Sequence, residues 1–355
     1  MELQFEHFDY HRNLEPQREL FKDCFPETSG ETIQGEKHYL WKFQQFPATT
    51  KSWEYAAYFN QEMVGYYAAL PYRYKIGSKE TSVGMVCDVM TSSKYRGKGI
   101  FTKMGNYSTN ELAAHVPFTM GYPIRKEVIP GHLKVGWKIP FQLPLYMKFL
   151  RLNTLLQSKK IGFLAPLGNW AICGYNFLRK TKVNPLYSYY IVDTIDKVKN
   201  YNEFTEKWGC SVPNALKKDL AFARWRYSAP ERKYHFLAVE NEQQQLIAFV
   251  AFRKIIKESV PSYGILDYQM LPEYTDCHGT INHALKEKAK QDNVEAIMTM
   301  MSTYSATEYE LVKNGFIKSP FVFNLIIKNL TNEFPDAELF EEKNWHLMWV
   351  DSDDL

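Results

Sequence analysis

Cysteine is scarce in this chain: five occur in 355 residues, at Cys24, Cys87, Cys173, Cys210 and Cys277. No two have the spacing of zinc ligands, and an odd, scattered set makes no disulfide framework. A stapled secreted scaffold is thereby excluded, and a reducing compartment fits. A surplus of one charge is also missing. Lys and Arg number 43 against 40 Asp and Glu, a net charge of +3, too balanced for a dedicated nucleic-acid binder. The nine histidines are dispersed. His278 and His283, five apart, do not share a helical face, and no metal is expected. Residues 1–26 are mixed and charged rather than apolar, and no export signal is expected. What the chain does have is 45% hydrophobic residues and 15% aromatics, enough for substantial cores, over a length that suits two domains plus an insertion.

The most informative stretch lies in the first third. An apolar, β-favouring run, Gly84-Met85-Val86-Cys87-Asp88-Val89-Met90, leads into a polar turn and then Arg96-Gly97-Lys98-Gly99 before a helix-compatible segment. A helix entered through glycine leaves its first N–H groups unpaired, with the positive end of the macrodipole beside them. Two glycines let that backbone approach an anion, and Arg96 and Lys98 add charge: a phosphate cradle. A P-loop is excluded because Ile100 follows Gly99, and a dinucleotide-binding turn because Thr102 stands where its third glycine belongs. A plain basic turn between strand and helix is the simpler alternative.

The segment resembles the pyrophosphate-binding Arg-x-x-Gly-x-Gly/Ala signature of the GCN5-related N-acetyltransferases (GNAT). Arg96 and Gly99 match it, while Phe101 replaces the final small residue, harmlessly if its ring turns into the core. The resemblance implies acetyl-CoA as co-substrate, its diphosphate held by Arg96, Gly97, Lys98, Gly99, Ile100, Phe101 and Thr102. It also implies that backbone at Val89 and Met90 binds the pantetheine and thioester. The surroundings agree in order. Trp53–Phe59 and Met63–Pro71 read as strands joined by a turn at Asn60-Gln61-Glu62, and Tyr74–Ile76 as a third. Phe101–Ala114 has helical periodicity, Pro117–Gly121 is a short strand, and Lys134-Val135-Gly136-Trp137-Lys138 resembles the family's helix end before its sixth strand. The likeness spans residues 36–138. Gly121-Tyr122-Pro123 resembles a further family element, but Ile124 stands where asparagine is common and receives no ligand role.

An internal repeat follows. Trp41-Lys42-Phe43 recurs as Trp225-Arg226-Tyr227, Met63–Tyr66 as Leu246–Phe249, Val86–Met90 as Ile265–Gln269, and Lys134–Trp137 as Lys313–Phe316. The expected fold is therefore α/β (α+β): two tandem GNAT-like domains, each a mixed, mostly antiparallel sheet flanked by helices. The expected boundaries are 1–138, a helical insertion at 139–200, a second domain at 201–330 and a tail at 331–355. The second copy has Thr275-Asp276-Cys277-His278-Gly279-Thr280 at the cradle, where Asp276 would repel phosphate, so only the first copy is expected to hold cofactor. Trp41 and Trp225 read as core anchors, and Asp351–Leu355 as a solvated acidic tail.

Within 139–182, Leu145–Leu156 reads as an amphipathic helix, and Ile161–Leu178 carries no charge between Lys159-Lys160 and Arg179-Lys180. Its glycines, proline and asparagines suit a lone lipid-facing helix poorly. A helical hairpin packed on the domains or on a second subunit in a homodimer is the expectation, with peripheral membrane contact the alternative.

The chemistry implied is direct attack of a neutral amine on the thioester. Asp88 is the first candidate for general base, ahead of Glu80 and Glu127; Tyr107 or Tyr122 could protonate the leaving thiolate. The reading is a cytoplasmic acetyl-CoA-dependent N-acetyltransferase of a primary amine in a small molecule or peptide, such as an amino sugar, polyamine or amino acid. A non-catalytic acyl-CoA-binding scaffold is the second reading. A Fem-like aminoacyl or peptidyl transferase is the third, though it has no need of the cradle.

Overall fold

The turn at Asn60 and Gln61 sets the first hairpin, since both residues are left-handed (φ 49° and 67°) and Phe59 pairs with Glu62 across them. In the computed structural model, which describes residues 2–179, 181–257 and 259–353, the elements follow in this order. The chain begins with β1 (Gln4–His7), α1 (Tyr10–Cys24), α2 (Glu36–Tyr39) with a π-helical turn at Leu40–Gln44, β2 (Trp53–Phe59), β3 (Glu62–Ile76) and β4 (Lys79–Thr91). Next come α3 (Ile100–Leu112), β5 (Phe118–Gly121), α4 (Ile129–Lys134), β6 (Gln142–Phe149), α5 (Asn153–Ser158), α6 (Ala165–Leu178) and β7 (Ser188–Val192). Then follow α7 (Tyr201–Ser211), β8 (Asn214–Leu216), α8 (Leu220–Arg226), β9 (His235–Glu240), β10 (Leu246–Lys257), β11 (Val260–Met270) and α9 (His278–Gln291). The last are β12 (Ala296–Met300), α10 (Thr303–Glu308), β13 (Ile317–Asn324), β14 (Ile326–Asn329) and α11 (Asp336–Phe340).

The chain forms two units that interleave in sequence. The first comprises the residues up to Phe141, Ser228–Arg232 and Asn324–Glu341; the second holds Gln142–Tyr227, Lys233–Phe323 and the residues from Glu342 on. In the first unit the strands lie in the order β1-β2-β3-β4-β5-β14, and β4–β5 is its parallel pair. The two segments expected at 63–71 and 74–76 are one strand. Pro71 lies past Ala69, the last residue paired with β2, so its missing N–H breaks no bond to that neighbour. One face of the sheet buries Tyr55, Val64, Tyr67 and Val86 against Ile100, Met104 and Leu112 of α3. Side chains alternate along a strand, so Glu54 and Tyr66 point to the opposite face, where Tyr66 and Tyr39 of α2 both donate to Glu54.

The second unit has the strand order β13-β6-β12-β11-β10-β9-β7, in which β11 and β12 are again parallel. Repeated landmarks occupy matching places. Gly136 and Gly315 are both left-handed (φ 93° and 86°), and the aromatic after each, Trp137 and Phe316, is buried.

Three expectations are corrected. The division at 138, 200 and 330 does not follow the sheets, because β6 and β7 of the supposed helical insertion are strands of the second unit and β14 joins the first. Strand exchange over such sequence separation has no local signature. The amphipathic helix expected at Leu145–Leu156 is the end of β6 followed by short α5; apolar alternation over a short run suits either period. The tail is not simply solvated: Asp351 and Ser352 are buried, and Asp351 pairs with Lys218 at 3.2 Å.

Candidate active site

Strand β4 pairs in parallel with β5 only at Gly84↔Thr119 and Met85↔Met120, then runs on to Thr91 as the two diverge. A bulge accompanies the divergence: Tyr66 faces Met90 and Ala68 faces Cys87, which leaves Asp88 at φ 47°. The bulge divides neighbouring side chains. Val89 packs on the α3 side with the core, while Asp88 reaches Lys42 of the π turn.

Past Thr91 the chain turns through Ser93–Tyr95 into the cradle. Gly97 and Gly99 are left-handed (φ 78° and 77°), and a Cβ at either would meet nothing within 4 Å, so the backbone is open to solvent. Gly99 is the N-cap of α3, and its carbonyl accepts from Lys103 N at 3.1 Å, leaving the amides of Ile100, Phe101 and Thr102 in the first turn directed outward. Arg96 and Lys98 are exposed beside them. Lys98 Nζ lies 5.1 Å from the Tyr95 ring, whose hydroxyl donates to Glu62 at 2.9 Å. Gly65 admits the helix: a Cβ there would fall 3.3 Å from Ile100 Cγ2. The departure at Phe101 is resolved by its direction. The ring turns to α4, where a Cβ on Gly131 would fall 2.6 Å from Cε1, and meets His132 edge-on at 5.0 Å.

The end of α1 is tied to this turn. Asp23 accepts from Ser93 N at 2.7 Å and Ser93 Oγ at 2.6 Å, and Cys24 Sγ donates to the Thr91 carbonyl at 3.3 Å. Arg125, following β5, donates to the Cys24 carbonyl at 2.8 Å and pairs with Glu27. Residues on both sides of the strand divergence are thereby anchored to the same helix end.

Behind Asp88 lies a buried polar cluster. Lys42 Nζ is 2.8 Å from Asp88 Oδ1, with both side chains largely buried. Burial works to raise the Asp88 carboxyl, but Lys42 and Arg18 outweigh it and hold it below its ordinary value. It is a clamped anion and a weak proton acceptor, which tells against the base role expected for it. Glu54, which sequence reasoning missed, has the opposite character. It accepts from Tyr39 at 2.6 Å, Tyr66 at 2.5 Å and Ser52 at 2.7 Å, yet burial, helped by the Asp88 charge, lifts its carboxyl above the usual range. Only its place as the one charged residue of an otherwise apolar strand, between Trp53 and Tyr55, could have marked it. His38 is pushed down to about 3 by burial and by Lys42, and stays neutral.

The remaining candidates scatter. Tyr122 is buried directly after β5, on the diverging side. Tyr107 is not brought to the site: it stacks on Phe5 of β1 at 5.1 Å and meets Tyr55 of β2 edge-on, two strands from β4. Helical periodicity marks a buried face without saying which strands it meets. Glu80 pairs with Lys75 near the start of β4, about 26 Å along the strand from Asp88 at 3.3 Å per residue. Glu127 is exposed in the 3₁₀ turn before α4.

In the second unit the matching positions are filled by the chain itself. A Cβ on Gly279 would fall 1.7 Å from the Lys182 carbonyl oxygen, so backbone lies against the start of α9. Asp276 accepts from Asn184 at 2.7 Å and Tyr187 at 2.7 Å, within the segment that continues from Lys182. On β11, Tyr268 N, the counterpart of Val89 in the repeat, donates to Met348 Sδ at 3.0 Å. Asp267, the counterpart of Asp88, pairs with Lys218 at 2.9 Å.

The acetyltransferase (GNAT) domain family matches residues 12–139. A search of curated protein sequences finds no match. Among solved structures, a GCN5-related N-acetyltransferase from Anabaena variabilis is similar with TM-score 0.66 at 11% identity, over 93% of this chain and 73% of its own. A probable N-acyltransferase from Enterococcus faecalis gives TM-score 0.63 at 9% identity, over 93% and 73%. Saccharomyces cerevisiae N-myristoyltransferase, with bound myristoyl-CoA and inhibitors, gives 0.60 at 13% identity, over 92% and 80%. At these identities the likeness is one of fold, and in each case it extends well beyond the matched domain. Residues 12–139 thus form a domain of the acetyltransferase (GNAT) family, and the two mixed sheets flanked by helices give the chain as a whole a fold similar to that of N-acyltransferases of known structure.

Proposed function

We propose that the protein is an acetyl-CoA-dependent N-acetyltransferase that acts on a primary amine of a small molecule or peptide through a site in its first unit. One observation carries the reading: β4 and β5 diverge beside a helix start whose two left-handed glycines are open and flanked by cations. Arg96, Lys98 and the first-turn amides of α3 would hold the diphosphate, and backbone at Val89 and Met90 the pantetheine and thioester. The amine nitrogen attacks the thioester carbonyl, the C–S bond breaks, and the thiolate takes a proton as the nitrogen loses one. Asp88, held ionised, orients the incoming amine. Glu54, with its raised carboxyl, would accept the proton, and Tyr122, buried directly after β5, would return one to sulfur.

Titration calorimetry with acetyl-CoA tests the binding half. One site is expected, weakened at least about a hundredfold by Arg96→Glu, which replaces a charge-assisted contact with repulsion. Absence of binding to acetyl-CoA and to longer acyl-CoAs at saturating concentration sinks the reading. Thiol release measured with amino sugars, polyamines, amino acids and peptides then identifies the acceptor, and acyl chains of graded length identify the donor. In that assay Glu54→Gln is expected to abolish the acid limb of the pH–rate profile. Asp88→Asn is expected to raise KM for the amine with the limb retained; the reverse result exchanges the two roles.

A further inference from the structure

Helix α6 is amphipathic in the inverted sense. The face turned to its own unit is held by amides: Asn169 accepts from Leu152 N at 2.8 Å and donates to Asn153 at 2.7 Å, and Asn176 donates to the Phe149 carbonyl at 2.8 Å. Gly168 seats the helix on α5, where a Cβ would fall 3.1 Å from Leu156. The face turned to water is Leu167, Trp170, Phe177 and Leu178, with Phe163 in the turn before; Trp170 is 77% exposed and Phe163 80%. A surface helix normally shows the opposite arrangement, and a contiguous exposed patch of large apolar side chains marks an interaction site.

Charge identifies the partner. From Glu127 to Asp193 the intervening sequence has no acidic residue but nine Lys and Arg, in a chain whose net charge is only +3. Exposed Lys159 and Lys160 precede the patch, and exposed Arg179 follows it. The helix has 14 residues, about 21 Å at 1.5 Å per residue, short of the roughly 30 Å needed to span a bilayer core. Among the described residues no helix is long and apolar enough to cross a membrane. We infer that the α5–α6 hairpin docks in the plane of an anionic phospholipid surface, with Phe163, Leu167, Trp170, Phe177 and Leu178 in the acyl boundary and Lys159, Lys160 and Arg179 at the headgroups. A second copy of this chain is the poorer occupant, because a two-fold contact sets the same patch against itself and brings like cations together.

Trp170 reports the docking, since the other seven tryptophans are buried or half-buried. The experiment is co-sedimentation of the full chain with vesicles of phosphatidylcholine alone or mixed with phosphatidylglycerol, and quenching of tryptophan emission by brominated lipid. Binding to the mixed vesicles is expected, with quenching that Trp170→Phe removes. Leu167→Asp with Phe177→Asp is expected to abolish binding, and Lys159→Glu with Lys160→Glu to weaken it at least about thirtyfold. These side chains are exposed, so circular dichroism should be unchanged and loss of binding is not loss of fold. No binding to the mixed vesicles, equal binding to neutral ones, or undiminished binding by the Asp variant overturns the inference. A dimer that the Asp variant dissociates, with no vesicle binding, overturns it in favour of a second copy.

Discussion

Asp88 is held by a residue 46 positions away in the chain, and the pair decides what its carboxylate can do. The aspartate was legible from its place on the motif strand. Its partner was visible only as the middle of a Trp–basic–aromatic triplet, and Lys42 reads there as an ordinary surface cation. Burial of the triplet follows from the π turn, where Gln45 N bonds to the Leu40 carbonyl at 2.9 Å and three consecutive side chains, Trp41, Lys42 and Phe43, turn inward. Lys42→Met leaves the buried carboxylate without its main counter-charge and is expected to cost about 3–5 kcal/mol. The sign of its pH dependence follows from linkage. In the wild type the carboxyl is depressed, so its contribution is present above the unfolded value and is lost as pH falls through the lower folded value. In the variant burial prevails, the carboxyl rises, and stability falls as pH rises above about 4. Denaturant unfolding between about pH 4 and 7 should show the gap between the two proteins widening with pH; a constant gap would mean that Asp88 is not the group responsible.

Among elements, α3 was the clearest in sequence and its contacts the least. The period over 101–114 gave a helix, found at Ile100–Leu112, with Met104 and Leu112 in the core. It could not say that Phe101 turns to α4 or that Tyr107 leans toward β1 and β2, because facing partners are set by strand order rather than by spacing. Phe101 and Gly131 fit as ring on bare backbone, and Gly105 repeats the device, with a Cβ there 3.0 Å from Val135 Cγ2. Gly131→Ala is expected to cost about 1–3 kcal/mol by overpacking and to weaken acyl-CoA binding, since the displaced ring lies in the first turn of the cradle helix. Adding Phe101→Ala should make the pair of substitutions less costly than the sum of the two. A double-mutant cycle measured on both stability and binding checks this; additivity would show that the contact does not couple them.

On the scale of the whole molecule, the repeat was readable because it is a matter of landmarks at similar spacing. The exchange of β6 and β14 between sheets was not, and neither was the fate of the second cradle. From sequence, Asp276 looked like the obstacle to a phosphate. In the folded chain it is a partner of Asn184 and Tyr187, and the backbone at Lys182 already lies on Gly279. Asp276→Arg should therefore leave acyl-CoA stoichiometry at one per chain by calorimetry; a second site would show that charge alone had closed it.

The carbonyl seated on Gly279 has a further consequence. A group tethered in place is present at an effective concentration that does not change with metabolite levels, whereas a diffusing cofactor stabilises its site in proportion to the logarithm of its abundance. Amide hydrogen exchange at the start of α3 should slow as acyl-CoA is added, and exchange at the start of α9 should ignore it. One helix start would then report the metabolic state of its surroundings, while its counterpart keeps a fixed rate against which the first can be read.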